Sequence, residues 1–246
     1  MSIVEVSINR AGYPGREGVI NDIHFTIEAG QLIGLIGPNG AGKSTTIKAI
    51  LGLLPDVAGT IGFTDPSGRV AYIPEHPVLY DTLTLWEHLE LAASALEMET
   101  AEFEERGMML LKQFRLTAVK HHLPSSFSKG MQQKMMLIIG FLQKPDLYII
   151  DEPFIGLDPK ATKDFMNMLH EERKRGAGVL MSTHVLDTAE RLCDAFVLLA
   201  DGQLVASGDL EAIREQCGMP GESLFDCFHS LLELAEPPTD GGDGGR

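Results

Sequence analysis

The stretch Gly37-Pro38-Asn39-Gly40-Ala41-Gly42-Lys43-Ser44-Thr45 constrains this chain more than any other. It fits G-x-x-x-x-G-K-[ST], a pattern that has meaning only between a strand and a helix. Both neighbours are legible. Leu32-Ile33-Gly34-Leu35-Ile36 is a continuous apolar run, the mark of a strand buried on both faces, and Thr45 to Leu54 follow at helical spacing. In that context the glycines let consecutive backbone N–H groups curl around phosphate oxygens, and the helix dipole adds positive potential. Lys43 then reaches the outer phosphates and the Ser44 hydroxyl faces Mg²⁺. The competing reading, a glycine-rich turn with an exposed lysine, leaves the flanking strand and helix without a purpose.

A second buried run, Leu147-Tyr148-Ile149-Ile150, ends in Asp151-Glu152. Two adjacent acids at a strand end divide two tasks: Asp151 holds Mg²⁺ through water and Glu152 orients the attacking water. Acids at a helix N-terminus would be the bland alternative, but it leaves the phosphate loop without a partner strand. Loop and acidic strand together specify a P-loop NTPase. A further buried strand at Val179 to Ser182 also adjoins a helical pattern, so the central sheet should be largely parallel. Ile3 to Ile8 and Ile20 to Ile27 alternate around the turn-rich Gly12-Tyr13-Pro14-Gly15 and predict an antiparallel β-layer.

Between about residues 78 and 145 the pattern is helical. Thr84-Leu85-Trp86-Glu87 has the capping-box form, and Leu85, Leu89, Ala92, Ala93 and Leu96 then share a face. Ser128 is placed to cap a helix running to Leu142, whose N-terminal donors, with Lys129, offer a second anion site. The segment Leu224-Phe225, Phe228 and Leu231-Leu232 reads as an amphipathic closing helix, packed on its own domain or on a second copy.

Charge excludes other classes. Twenty Lys and Arg against 35 Asp and Glu give a net charge of -15, which repels nucleic-acid backbones and acidic lipid. No nucleic-acid partner is expected. Three cysteines without CxxC spacing suggest neither a zinc site nor a disulfide framework and suit a reducing cytoplasm. The first residues lack the form of a signal peptide, and no uncharged apolar run nears the roughly 20 residues of a membrane span, so direct membrane insertion is not expected. The tail over 236–246 lacks apolar residues and is expected to be disordered.

Several more motifs stand in order. Phe127-Ser128-Lys129-Gly130-Met131-Gln132-Gln133-Lys134 precedes the acidic strand, Gly156-Leu157-Asp158-Pro159 follows it, and Ser182-Thr183-His184 follows the next strand. With Tyr13 near the start and Tyr72-Ile73-Pro74-Glu75-His76-Pro77 before the helical region, the chain resembles the nucleotide-binding domains of ABC transporters from Ile3 to about Leu234. The resemblance implies that Tyr13 stacks on adenine, that Asp158 lies on the D-loop and that His184 contacts the γ-phosphate and holds Glu152 and water. It implies that Ser128, Lys129, Gly130 and Gln132 form the signature that covers ATP held by a second ATPase subunit, a second copy of this chain or a sister. Lys129 and Met131 depart from the usual L-S-G-G-Q. Glu75 stands where the family has glutamine, and as a hard oxygen donor it still suits Mg²⁺.

Glu75, the Ser-Lys-Gly-Met signature, the run from Tyr148 to Asp158 and Ala189-Glu190-Arg191 are similar to exporter-type, ABC-2-like ATPases and in particular to bacterial Ecs-type ATPases. Three expectations follow. The fold is α/β, a RecA-like P-loop core carrying an antiparallel β subdomain and an inserted helical subdomain. One ABC ATPase domain spans 1–235, with β-layer and core at 1–77 and 146–235 and the helical subdomain at about 78–145. The protein is cytoplasmic, peripheral on the inner face of the cell membrane, and drives an integral membrane permease subunit. Leu79 and Trp86 are candidate permease contacts, although Trp86, next to the Leu85 and Leu89 face, reads first as a core residue of its own helix. His24, His76, His88, His170 and His229 are read as structural, and His121-His122 as a solvated loop. The alternative is an ABC-type ATPase with a regulatory role and no transport. The long heptad insertion of the repair type and the double cassette of the translation type are both missing from this sequence.

Overall fold

The computed structural model describes residues 1–235; the tail expected to be disordered lies outside them. The described chain forms two compact units, one of Met1–Glu5, Thr26–Ile33 and Ile61–Thr183, the other of Val6–Phe25, Gly34–Thr60 and the chain from His184 onward.

In the first unit, strands β5 (Val70–Ile73), β6 (Leu147–Asp151) and β7 (Gly178–Thr183) form a parallel ladder. Register pairs Ile73 with Ile150 and Asp151 with Ser182. Every residue of β6 and β7 is buried, as the apolar runs require. Parallel neighbours need a crossover. Helix α5 (Pro159–Lys174) makes it between β6 and β7, and α2 (Leu85–Ala95), α3 (Thr100–Gln113) and α4 (Lys129–Leu142) make it between β5 and β6.

The helical starts were set by local chemistry. The Glu87 N–H donates to the Thr84 hydroxyl and the Glu87 carboxylate takes the Thr84 N–H, a complete capping box. The Ser128 hydroxyl accepts from the Met131 N–H at the head of α4. Leu85, Leu89 and Ala93 are buried while Ala92 and Leu96 are only partly so. Trp86 packs on Phe103 of α3, ring centroids 4.8 Å apart, with the Lys120 ammonium 4.5 Å from its ring, while the residue stays partly exposed. His88 is buried and structural, its Nε2 accepting from the Tyr80 N–H and its Nδ1 bonded to the Thr84 carbonyl. Arg106 of α3 donates to the Phe141 and Leu142 carbonyls that end α4 and pairs with Glu172 of α5, binding three helices around the foot of β6.

In the second unit, strands run in the order β4 (Asp56–Phe63), β1 (Ser2–Tyr13), β2 (Arg16–Glu28), β9 (Gln203–Gly208) and β8 (Ala195–Ala200). β1 and β2 are longer than the alternation suggested and joined by Pro14-Gly15 alone, which makes them antiparallel. β8 and β9 form a hairpin closed by Asp201-Gly202, both at positive φ, a turn whose twist suits the strands. Strand β3 (Leu32–Ile36) leads to α1 (Lys43–Ile50), which starts and ends earlier than the expected 45–54. Gly42 at φ 104 permits the early start, and Gly52 at φ 68 turns the chain away after the C-cap. Helices α6 (Leu186–Leu192), α7 (Leu210–Cys217) and α8 (Leu224–Ala235) enclose one apolar cluster containing Ile36, Phe196, Leu198, Ile213, Leu224 and Phe228. α8 therefore packs on its own unit.

Candidate nucleotide-hydrolysis site

The phosphate loop is shaped by contacts that exclude side chains. A Cβ on Gly37 would lie 2.5 Å from the Leu199 carbonyl oxygen, and one on Gly42 2.5 Å from Ile20 Cγ2. Pro38, Asn39 and Gly40 are exposed, Ala41 is buried, and Ser44 faces solvent from the first turn of α1 while Thr45 turns inward. Lys43 is only 8% exposed. Its ammonium donates to the Gly37 carbonyl at 2.7 Å and the Pro38 carbonyl at 3.2 Å, so the side chain folds back over the loop. The loop offers an anion the amides of the α1 N-terminus beside this ammonium.

Tyr13 is half-buried beside α1. Its hydroxyl lies 3.5 Å from Thr45 Oγ1 and accepts from Lys48 Nζ at 3.4 Å, with that ammonium 5.3 Å from the ring centroid. Exposed His184 enters α6, and together with Gly37 and Pro38 it lines a cavity of about 220 Å³ walled by Phe225, Phe228 and Leu232 of α8. The loop, Tyr13 and His184 thus belong to the second unit.

In the first unit, Asp151 and Glu152 are buried, at 6% and 8% exposure. The β6–β7 register sets Ser182 against them. Fully buried Ser182 donates its hydroxyl proton to Asp151 Oδ1 and accepts from the Glu152 N–H at 3.2 Å, while the Ser182 carbonyl accepts from the same N–H at 3.3 Å. Glu152 is held at φ 47, uncommon for a residue with a Cβ and found where the surroundings over-determine the backbone. Nearby, burial pushes the Tyr72 hydroxyl up to about 12, aided by the negative fields of Asp151 and Glu75. Both carboxylates therefore act on one locality. The Asp151 carboxylate is a hard oxygen donor of the kind Mg²⁺ takes.

The signature residues lie at the head of α4: Ser128 and Lys129 exposed, Gly130 and Gln132 half-buried, with Gln132 donating to the Pro124 carbonyl. Gly130 rests on the turn after the acidic pair, since a Cβ there would lie 2.6 Å from the Gly156 carbonyl oxygen. Lys134 reaches Asp158 at 2.7 Å. That hydrogen bond, and one from the Ala161 N–H, hold the Asp158 carboxyl down at about 2. Sequence reasoning missed Lys134 and the bridging role of Ser182. The signal for Ser182 was its place at the end of a buried strand, which becomes legible only once the register is known.

Among the described residues no helix is long and apolar enough to cross a membrane. A family profile described as ABC transporter matches residues 20–155. An uncharacterized ABC transporter ATP-binding protein of Bacillus subtilis, YthP, is 53% identical over 94% of this chain and 98% of its own length. The ABC-type transporter ATP-binding protein EcsA of the same species is 47% identical over 95% of this chain and 98% of its own. The Nod factor export ATP-binding protein I of Rhizobium johnstonii is 35% identical, covering 97% of this chain and 81% of its own. A solved structure, an ATP-binding subunit of an ABC transporter, superposes with a TM-score of 0.88 at 46% identity over 94% of this chain and 99% of that one. The phosphate loop, the acidic strand end and these relatives agree, and the chain belongs to the ABC transporter family as an Ecs-like ATP-binding cassette, an ATPase of P-loop α/β fold.

Proposed function

We propose that this cassette is the ATP-hydrolysing subunit of an ABC exporter, cytoplasmic and peripheral on the inner face of the membrane, where it drives a separate integral membrane permease subunit. One ABC ATPase domain over 1–235 carries this activity, with the helices of about 78–145 as its inserted subdomain. The observation that carries the reading is the phosphate loop: a buried Lys43 folded over carbonyls at the head of a helix, with Ser44 exposed beside it. Export is supported by the signature and Glu75, and by the likeness to a Nod factor export ATP-binding protein.

Residues 37–45 bind the phosphates of ATP and Tyr13 stacks on the adenine. Ser44, Asp151 and Glu75 hold Mg²⁺, which when bound neutralises charge on the phosphate oxygens. Glu152 orients the attacking water and His184 contacts the γ-phosphate. Ser128, Lys129, Gly130 and Gln132 close over the ATP of a second ATPase subunit, with a homodimer the favoured pairing, and Asp158 lies on the D-loop between the sites. Closure around two nucleotides and reopening on product release form the stroke.

The test is ATP hydrolysis against protein concentration for wild type and Glu152→Gln, with size-exclusion chromatography in ATP and Mg²⁺. Cooperative hydrolysis by wild type and an ATP-dependent dimer of Glu152→Gln are expected. A wild type that binds ATP yet stays monomeric and inactive, even with candidate permeases added, would overturn the motor reading in favour of a regulatory ATP-binding module.

A further inference from the structure

The tip of the β8–β9 hairpin stands against the phosphate loop, and every contact between them lies within the second unit. Past the turn, the Gly202 N–H donates to the Ala41 carbonyl at 3.1 Å, and the Gly202 carbonyl accepts from the Asn21 N–H of β2 at 2.7 Å. Asn21 also stands opposite Gln203 where β2 and β9 pair. Gly202 therefore ties the loop to two strands. A Cβ on Gly42 would lie 3.4 Å from Gly202 Cα, besides its closer approach to Ile20. Gly202 itself has no room for a side chain: at φ 77, a Cβ there would overlap the Val19 carbonyl oxygen. One peptide plane connects these contacts to phosphate binding. In a trans peptide the C=O and the N–H that follows it point in opposite directions. Gly202 holds the Ala41 carbonyl toward the hairpin, so the Gly42 N–H is aimed away from it. Among the described residues that N–H meets no protein acceptor. Gly42 is the N-cap of α1, at φ 104, and without a Cβ its own backbone does little to fix the plane.

We propose that Gly202 is a positioning residue for ATP binding: its N–H holds the Ala41 carbonyl so that the Gly42 N–H donates to a phosphate oxygen of the nucleotide. The proposal rests on residues 37–45 binding the phosphates. A hydrogen bond to a phosphate is charge-assisted and about twice as strong as a neutral one, so a small rotation of one peptide is felt in affinity. An alanine at 202 has to move off the Val19 carbonyl, and its N–H moves with it, away from Ala41. The loop then loses its outside anchor while Lys43, Ser44 and α1 keep theirs.

The full chain is titrated calorimetrically with ATP and Mg²⁺ as wild type, Gly202→Ala, Gly218→Ala and Lys43→Ala. Gly218, at φ 69 with nothing within 4 Å of an added Cβ, bears similar backbone strain without the contact, so it separates destabilisation from positioning. Gly202→Ala should raise the Kd for ATP at least about tenfold, whereas Gly218→Ala should stay within about twofold of wild type. In hydrolysis the loss should fall on KM with kcat at saturating ATP little changed, because the Gly42 N–H serves ground state and transition state alike. In wild type, where no folding defect intervenes, ATP should slow amide exchange at Gly202 together with the amides of 37–45. A folded Gly202→Ala that binds ATP as wild type does, an equal loss in Gly218→Ala, a loss confined to kcat, or a Gly202 amide indifferent to ATP would each overturn the proposal. Lys43→Ala should lose ATP binding; if it binds as wild type does, the phosphate-loop reading itself fails and the proposal with it.

Discussion

Replacing Ser182 by alanine tests the architecture of the acidic pair most directly. The hydroxyl makes two bonds, donating to Asp151 Oδ1 and accepting from the Glu152 N–H. They are not equal in weight. The Glu152 N–H keeps the Ser182 carbonyl at 3.3 Å, so its loss is small. The Asp151 carboxylate loses a donor inside a buried site, and a hydrogen bond to a charged group contributes about 1.5–3 kcal/mol. We therefore expect Ser182→Ala to destabilise the fold by about 2 kcal/mol, a fall of roughly 4–8 °C in Tm for a chain of this size. Urea unfolding followed by the emission of Trp86, the chain's one tryptophan, measures the loss. Combining it with Asp151→Asn should give a coupling of about 1 kcal/mol or more, because the two residues share the bond. Hydrolysis should fall roughly tenfold as Glu152 relaxes from φ 47, since an ångström of misplacement costs up to about 10²-fold. An unfolding midpoint within about 0.5 kcal/mol of wild type, or strict additivity with Asp151→Asn, would refute the assignment.

Lys134→Gln should remove a stabilisation that depends on pH. The Asp158 carboxyl is held down at about 2 chiefly by the Lys134 hydrogen bond, so that contribution is complete above the ordinary value of 3.8 and disappears as pH falls through about 2. The stability gap between variant and wild type, read by denaturant titration, should thus be present at pH 5 and shrink between about pH 4 and 2. Gly130→Ala should cost more than Gly140→Ala in chemical unfolding, about 2–3 against under about 1.5 kcal/mol. The added methyl meets the Gly156 backbone at the first site and the movable end of Ile73 at the second. Tyr13→Ala should weaken ATP binding about tenfold in calorimetric titration while Tyr13→Phe stays close to wild type, because stacking needs the ring and not the hydroxyl.

Local chemistry was legible, and pairings between distant residues were not. β3, β6 and β7 announced themselves because a parallel sheet covered on both faces demands unbroken apolar runs. Thr84 and Ser128 were readable as caps because a cap and its partner lie three residues apart. The end of α1 was misjudged because helical spacing persists to Leu54 while Gly52 turns the backbone. Ser182 needed the β6–β7 register, Lys134 and Asp158 stand 24 positions apart, and the positive φ of Glu152 follows from its tether to β7 rather than from its side chain.

The contact between Gly130 and Gly156 and the ion pair from Lys134 to Asp158 join the first turns of α4 to the turn before α5 at two points. Two points of attachment remove the freedom to pivot that one would leave. For distance spectroscopy this makes the region a ruler rather than a sensor: spin labels on Ser125 and Lys160, both exposed, should report one separation in every nucleotide state. Such a pair provides the fixed internal standard against which label pairs elsewhere in the cassette are calibrated.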